Sequence, residues 1–422
     1  MAVTVPAATE QIDYADLYAR WERGNWSATE IDFSQDRIDW QERFTPEQRR
    51  GALWLYTLFF HGEDSVTDNL SPYIDAVPLE EQKYFLATQQ VDEARHAVFF
   101  KRFMHEVVGV GNGSLSSGLH ATAPALTWGH RETFARLDRM AAELRRDRSP
   151  RKLAAAVALY HVVVEGTLAQ PGQHMIETSL ERLDLMPGFR EGMRSVAVDE
   201  QRHIAFGVRL LADLYEADPQ GTQDAIVDLV REVLPWTLSV AIPPGWDESY
   251  TACFGFSLED LYEEGARSNE ARLRAVGLPL DEIAHFPFPM DVAPRERGRR
   301  ALALLRAGLL GERNGPVGRD PQTVRIFFDL LARNARGEEV PHGTTIQWEF
   351  PDMEPWHLVL EGRRKTAIQG RLPKATVRLR MRWDDFGELV SQRAQPQQLL
   401  MRGRMRPWGD PRLLLKLQRL FH

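Results

Sequence analysis

A single cysteine, Cys253, stands in the 422 residues, which excludes an internal disulfide framework and any multi-thiolate metal site. Long apolar runs are also scarce. The longest strongly apolar stretch, Ala52–Phe60, falls well short of the roughly 20 residues a membrane-spanning helix needs. The opening MAVTVPAATEQIDYAD has no basic start followed by an apolar run, so no secretory leader is read there. These absences lead to the expectation of a cytoplasmic protein. The length exceeds one ordinary domain, so two compact units are expected.

Charge is unevenly placed along the chain. Residues 363–422 carry 15 Lys/Arg against 4 Asp/Glu, a net of +11 in a chain of net −8, which leaves −19 on residues 1–362. A basic face attracts phosphate or carboxylate partners, an anionic membrane surface among them, or docks on an acidic neighbour. Both readings stay open. Nucleic acid is not expected, because no aromatic-rich reader element accompanies the charge.

Four runs, Glu47–Leu70, Leu79–Val108, Arg151–Leu180 and Gly188–Leu214, carry apolar residues at helical 3–4 spacing. Pro46, Pro78 and Pro187 sit near the openings of such runs, where proline's missing N–H costs nothing. The pattern predicts an all-α four-helix bundle with extra helices over residues 1–290. A connecting helix and turn-rich linker over 291–321, ending in ERNGPVGRDP, leads to an α+β domain over 322–422. Its expected strands are Thr344–Phe350, Trp356–Glu361, Thr366–Gln369 and Ala375–Trp383, with helices at Thr323–Asn334, Asp384–Gln392 and Pro411–Phe421.

One motif occurs twice, as Asp92-Glu93-Ala94-Arg95-His96 and Asp199-Glu200-Gln201-Arg202-His203. Each places Glu and His at i and i+3, one turn apart on one helix face, where both reach a single ion. A lone Glu-x-x-His is ordinarily a surface pairing. Two copies, each preceded by a helix with a glutamate in apolar surroundings, Glu63 and Glu165, complete the dinuclear carboxylate pattern of ferritin-like bundles. A carboxylate in such surroundings costs several kcal/mol unless it is protonated or bound to a cation. Hard carboxylates with one imidazole per ion suit iron and manganese. Asp92 and Asp199 are read as acceptors for the far nitrogen of the opposite half's histidine, the alternative being solvated helix polarity. Arg95 and Arg202 pair with these carboxylates or face water, and His61 and His161 fall outside the repeat.

With these residues the chain resembles the small, metal-bearing subunit of ribonucleotide reductase, and most of all that superfamily's ligand-binding oxidases. The resemblance covers roughly residues 20–290. It implies a heterodinuclear manganese–iron centre (or two irons) that reacts with dioxygen, a long-chain fatty acid bound at the metals, and a homodimer. It also implies a valine–tyrosine ether crosslink, and Val66, three after Glu63, and Tyr160, five before Glu165, match its positions. Spacing alone does not point Tyr160 at the metals, because five residues subtend about 140° on an ideal α-helix; as residues, both read as core.

Phe100 stands where common reductase small subunits hold a radical tyrosine, which argues against that role. A flexible C-terminal tail for docking a large subunit is not read either. Residues from about 312 onward resemble the sterol-carrier lipid-binding domain, on ATVRLRMRWDDFGELV and MRGRMRPWGDPRLLLKLQRLF, with Trp408 a departure. That resemblance implies a lipid partner. Two competing readings are a manganese–iron reductase subunit and a non-enzymatic lipid carrier whose metal is structural.

Overall fold

The computed structural model describes residues 13–283, 286–312 and 315–421. Most of the opening segment read for a leader, and two residues of the expected linker, lie outside them. The chain divides into two compact units, residues 1–229 with 241–278, and residues 230–240 with 279–422.

The first unit is helical. Its described helices include α1 (Tyr14–Arg23), α2 (Pro46–Asn69), α3 (Glu80–Phe103), α4 (Trp128–Leu144), α5 (Pro150–Leu183), α6 (Pro187–Ala217), most of α7 (Pro219–Thr237) and α8 (Leu258–Ala275). The four predicted runs are α2, α3, α5 and α6. α2 packs on α3, α5 on α6, and α3 on α6, while α8 lies against α5 and α1 lies against both α3 and α6.

Local chemistry sets the entries. Thr45 Oγ1 accepts from Gln48 N and Gln48 Oε1 from Thr45 N, a capping box ahead of Pro46. The carboxylate of buried Asp36 accepts from Gly188 N and Phe189 N, placing negative charge at the amino end of α6. Below the site, Phe189 packs on Phe103 at 4.2 Å and Tyr56 at 4.5 Å, with Phe99 stacked at 5.6 Å.

α5 departs from ordinary geometry. Residues Ala158–Ala169 form π-helix, closed by Gln170 N donating to Glu165 O five residues back, and the Thr167 hydroxyl also donates to Val162 O. Among the described residues, only α5 is long and apolar enough to cross a bilayer by length and composition, but most of it is buried inside the protein. His161 and Glu165 interrupt its apolar run in the sequence.

The second unit holds α9 (Pro294–Arg306), α10 (Pro321–Asn334) and strands β1 (Thr344–Glu349), β2 (Trp356–Glu361), β3 (Arg364–Gln369) and β4 (Val377–Met381). α11 (Trp383–Val390), α12 (Pro396–Met401), β5 (Met405–Gly409) and α13 (Pro411–Phe421) follow. The sheet order is β3-β2-β1-β4-β5; β1 and β4 run parallel and every other neighbouring pair antiparallel. Its core centres on Phe328, stacked on Trp356 at 4.5 Å and packed with Trp383 and Phe386.

Two differences from the sequence reading have physical causes. The division falls at Leu278/Pro279 rather than 290, and 291–321 belongs to the second unit, because Leu304, Leu309 and Val317 join its buried core. β5 was unforeseen because Pro407 and Gly409 weaken any strand signal. It is an edge strand, where proline's missing N–H breaks no ladder.

Phe189→Ala is expected to lower the stability of the first unit by about 3–5 kcal/mol, measured as a lower urea midpoint by circular dichroism.

Candidate metal centre

Each bundle helix delivers its part of the constellation to one buried locus. α2 brings Glu63 and Val66, α3 Asp92, Glu93 and His96, α5 Tyr160 and Glu165, and α6 Asp199, Glu200 and His203; all are buried. Glu63, Glu93, His96 and Glu200 form one group with metal-ligand spacing, and Glu93, Glu165 and His203 a second.

Glu93 and Glu200 each span the two imidazoles. Glu93 turns Oε2 to His96 Nδ1 at 3.5 Å and Oε1 to His203 Nδ1 at 3.3 Å. Glu200 turns Oε1 to His96 at 3.6 Å and Oε2 to His203 at 3.7 Å. Glu63 reaches only His96, at 3.3 Å, and Glu165 only His203, at 3.6 Å. The two rings lie 6.1 Å apart.

The aspartates cross over. Asp199 Oδ2 sits 3.1 Å from His96 Nε2, and Asp92 Oδ2 sits 3.2 Å from His203 Nε2. These contacts direct each Nδ1 inward. Trp26 Nε1 donates to Asp199 at 2.8 Å and Trp21 Nε1 to Asp92 at 2.9 Å. Arg95 and Arg202 each pair with both aspartates. Burial alone would raise Asp199, but the hydrogen bond and charge of His96, with Trp26 and Arg202, bring it down to about 2.

Tyr160 resolves differently from α-helical arithmetic. In the π stretch a five-residue step is close to one turn, so Tyr160 and Glu165 share a face. The Tyr160 hydroxyl lies 3.1 Å from Glu93 Oε1 and 3.3 Å from the Val66 carbonyl oxygen. Sequence reasoning missed Gln89, whose Nε2 donates to Glu165 Oε1 at 2.8 Å and Glu93 Oε1 at 3.3 Å. Its position four residues before Glu93 was the available signal. His161 Nε2 meets Gln89 Oε1 at 3.1 Å. That approach depends on Gly207, where a Cβ would come within 2.2 Å of His161. His61 bonds Thr122 instead, and Phe100 stacks on Phe59.

The donor set fits a pair of cations. Glu93 Oε2, Glu165 Oε2, Glu200 Oε2 and His203 Nδ1 are buried without a hydrogen-bond partner, a costly arrangement that bound metal relieves. Without a cation the cluster retains protons. Burial pushes Glu63 up to about 8 against the pull of His96, and burial with Glu200 lifts Glu165 well above the carboxylate range. Burial opposes charge on both imidazoles, yet Glu63 and Asp199 at His96, and Asp92 and Glu200 at His203, hold them well above the usual range.

Residues 7–236 match the family model for the ribonucleotide reductase small chain, and residues 330–422 that of the SCP-2 sterol transfer family. Among solved structures, a variant of R2-like ligand-binding oxidase with anaerobically reconstituted Mn/Fe cofactor is 25% identical at a TM-score of 0.54, covering 64% of this chain and 96% of its own. A second variant of that oxidase, also 25% identical with a TM-score of 0.54, covers 63% and 93%. The R2-like ligand-binding oxidase from Sulfolobus acidocaldarius, at 23% identity and TM-score 0.53, shares the fold over 67% of this chain and 93% of its own.

Glu63 titrates higher folded than its ordinary 4.5, so the stability it contributes is present below 4.5 and lost as pH rises through about 8. The raised His96 and His203 act in the same direction above 6.5. The melting temperature of metal-free protein is expected to fall between pH 6.5 and 8, and Glu63→Gln to flatten that fall in differential scanning calorimetry.

Proposed function

The chain belongs to the ribonucleotide reductase small-chain family, and from that premise we propose that its first unit is a dinuclear Mn/Fe, or Fe/Fe, oxidase that reacts with dioxygen beside a bound fatty acid or similar lipid. The observation that carries this is the spanning of both imidazoles by Glu93 and by Glu200. Glu63 and His96 would hold one ion, Glu165 and His203 the other, with Glu93 and Glu200 between them. When bound, the pair supplies the electrons that reduce dioxygen and the oxidising power to take hydrogen from a C–H bond.

The protein's own groups prepare that chemistry. Asp199 and Asp92 fix the Nε2 protons of the histidines, and so their tautomers. The six ligand side chains are buried, as are Val162, Val163 and Val164 just ahead of Glu165, so bulk water does not reach the cluster. Tyr160 holds its phenolic proton between Glu93 Oε1 and the Val66 carbonyl, which supports an ether crosslink to Val66. Phe100, buried and without a phenol, favours the oxidase over a tyrosyl-radical reductase. The second unit would carry a lipid, and tethering keeps such a ligand near millimolar local concentration. Its basic surface suits a carboxylate head group or an anionic membrane.

A homodimer is supported by α3. Tyr84, Val91 and Val98 are 56%, 51% and 39% exposed, and with exposed Ala87 and Ala94 they form a heptad-spaced stripe. Glu80 lies at one end and Lys101 at the other. An antiparallel two-fold through Val91 sets Tyr84 against Val98 and Glu81, next to Glu80, against Lys101 of the second copy, whereas parallel pairing opposes like charges.

Reduced, metal-loaded protein is expected to consume dioxygen and then yield Val66 and Tyr160 peptides joined with loss of two hydrogens, by oxygen electrode and peptide mass spectrometry. Glu93→Ala should reduce uptake to background; wild-type protein that takes up no oxygen would return the chain to the carrier reading. Val91→Glu should halve the mass measured by light scattering, and an unchanged mass would remove the α3 interface.

A further inference from the structure

Gln89 is fully buried, and both ends of its amide are engaged. Nε2 donates to Glu165 Oε1 and Glu93 Oε1, at 2.8 and 3.3 Å, while Oε1 faces His161 Nε2 at 3.1 Å. That contact is a hydrogen bond only if the imidazole carries its proton on Nε2, because an amide oxygen accepts and never donates. The two carboxylates require the NH2 end of Gln89, and a proton on His161 Nε2 then holds the amide oxygen in that orientation. With the oxygen turned to the imidazole, the NH2 group must face the carboxylates. Burial keeps the ring neutral, with its pKa down to about 3, so His161 adds no charge.

The donors are unevenly shared between the two halves of the centre. On the His203 side, Glu165 receives the amide, and Glu93 Oε1 receives both the amide and the Tyr160 hydroxyl. On the His96 side, the contacts to Glu63 Oε2 and Glu200 Oε1 are to an imidazole. Among the described residues, neither of those two side chains meets an amide or a hydroxyl. A donor bonded to a carboxylate stabilises its charge and lowers its affinity for a proton, and by the same electrostatics its affinity for a cation.

We propose that Gln89, oriented by His161, is a positioning residue that makes the two metal positions unequal, so that the Glu63/His96 position binds a divalent ion more tightly and fills first. The proposal rests on the dinuclear reading above and adds an order of filling to it. Two positions with nearly the same ligand types thereby become distinguishable to two different ions. Loss of an outer hydrogen-bonding partner of a ligand shifts metal affinity by roughly 10- to 100-fold.

The test is an anaerobic titration of the metal-free full chain with Mn2+, followed by calorimetry and by electron paramagnetic resonance. Wild-type protein should bind two ions in steps separated by roughly 10- to 100-fold, with an isolated-ion signal at one equivalent. Gln89→Met keeps the length and removes the donor, and should shrink the separation about tenfold, with coupled-pair signal already at one equivalent. His161→Phe frees the amide to turn, should act in the same direction, and decides the matter if Gln89→Met does not fold. Failure of wild-type protein to bind two ions would overturn the dinuclear reading itself. Two-ion binding with equal affinities, or a separation unchanged in the folded variants, would overturn the inference alone.

Discussion

Four carboxylates and two imidazoles, buried within a few ångströms of one another, are the constraint to which the first unit answers. None of the carboxylates is tolerable alone in that environment. Each must be protonated, paired or bound to a cation, and the cluster is arranged so that every group meets an opposite charge across the bundle axis. Glu93 and Glu200 connect the halves, and the crossed contacts of Asp92 and Asp199 tie each motif to the histidine of the other. The two motifs therefore form one object, and a shift of α3 against α6 would break both halves together.

Much of this was legible because the helix repeat is short and the ligands obey it. An i, i+3 pair on an α-helix leaves little freedom in where its side chains meet, so Glu93 with His96 and Glu200 with His203 could be placed from spacing alone. Their aspartate partners followed from the second nitrogen of each ring. Tyr160 could not be placed this way, since its approach to Glu93 depends on a π stretch that no residue pattern announced. Gln89 was opaque for another reason. A glutamine on a helix reads as surface, and its place one turn before Glu93, on the same inward face, was the sign passed over.

In the second unit, alternation along Val377–Met381 and the paired hydrophobic runs gave away four of the five strands. The fifth hides behind a proline and a glycine, and is held by register with β4, Pro407 lying opposite Leu379. The expected connecting helix of 291–321 is present as α9, and the segment also contributes to the second core. Turn residues crowd its last ten positions, while Leu304, Leu309 and Val317 decide where the segment packs. Composition reports the average of a segment; burial follows a few of its members.

The π stretch of α5 contains more residues per turn than the α-helix on either side of it. Glu165 lies within that stretch, so its carboxylate leaves the helix axis at an angle that an uninterrupted α-helix of the same sequence would not give it. The wider turn is thus part of what aims a ligand: the same five residues that carry the chain from Tyr160 to Glu165 bring both side chains back to one side of the helix.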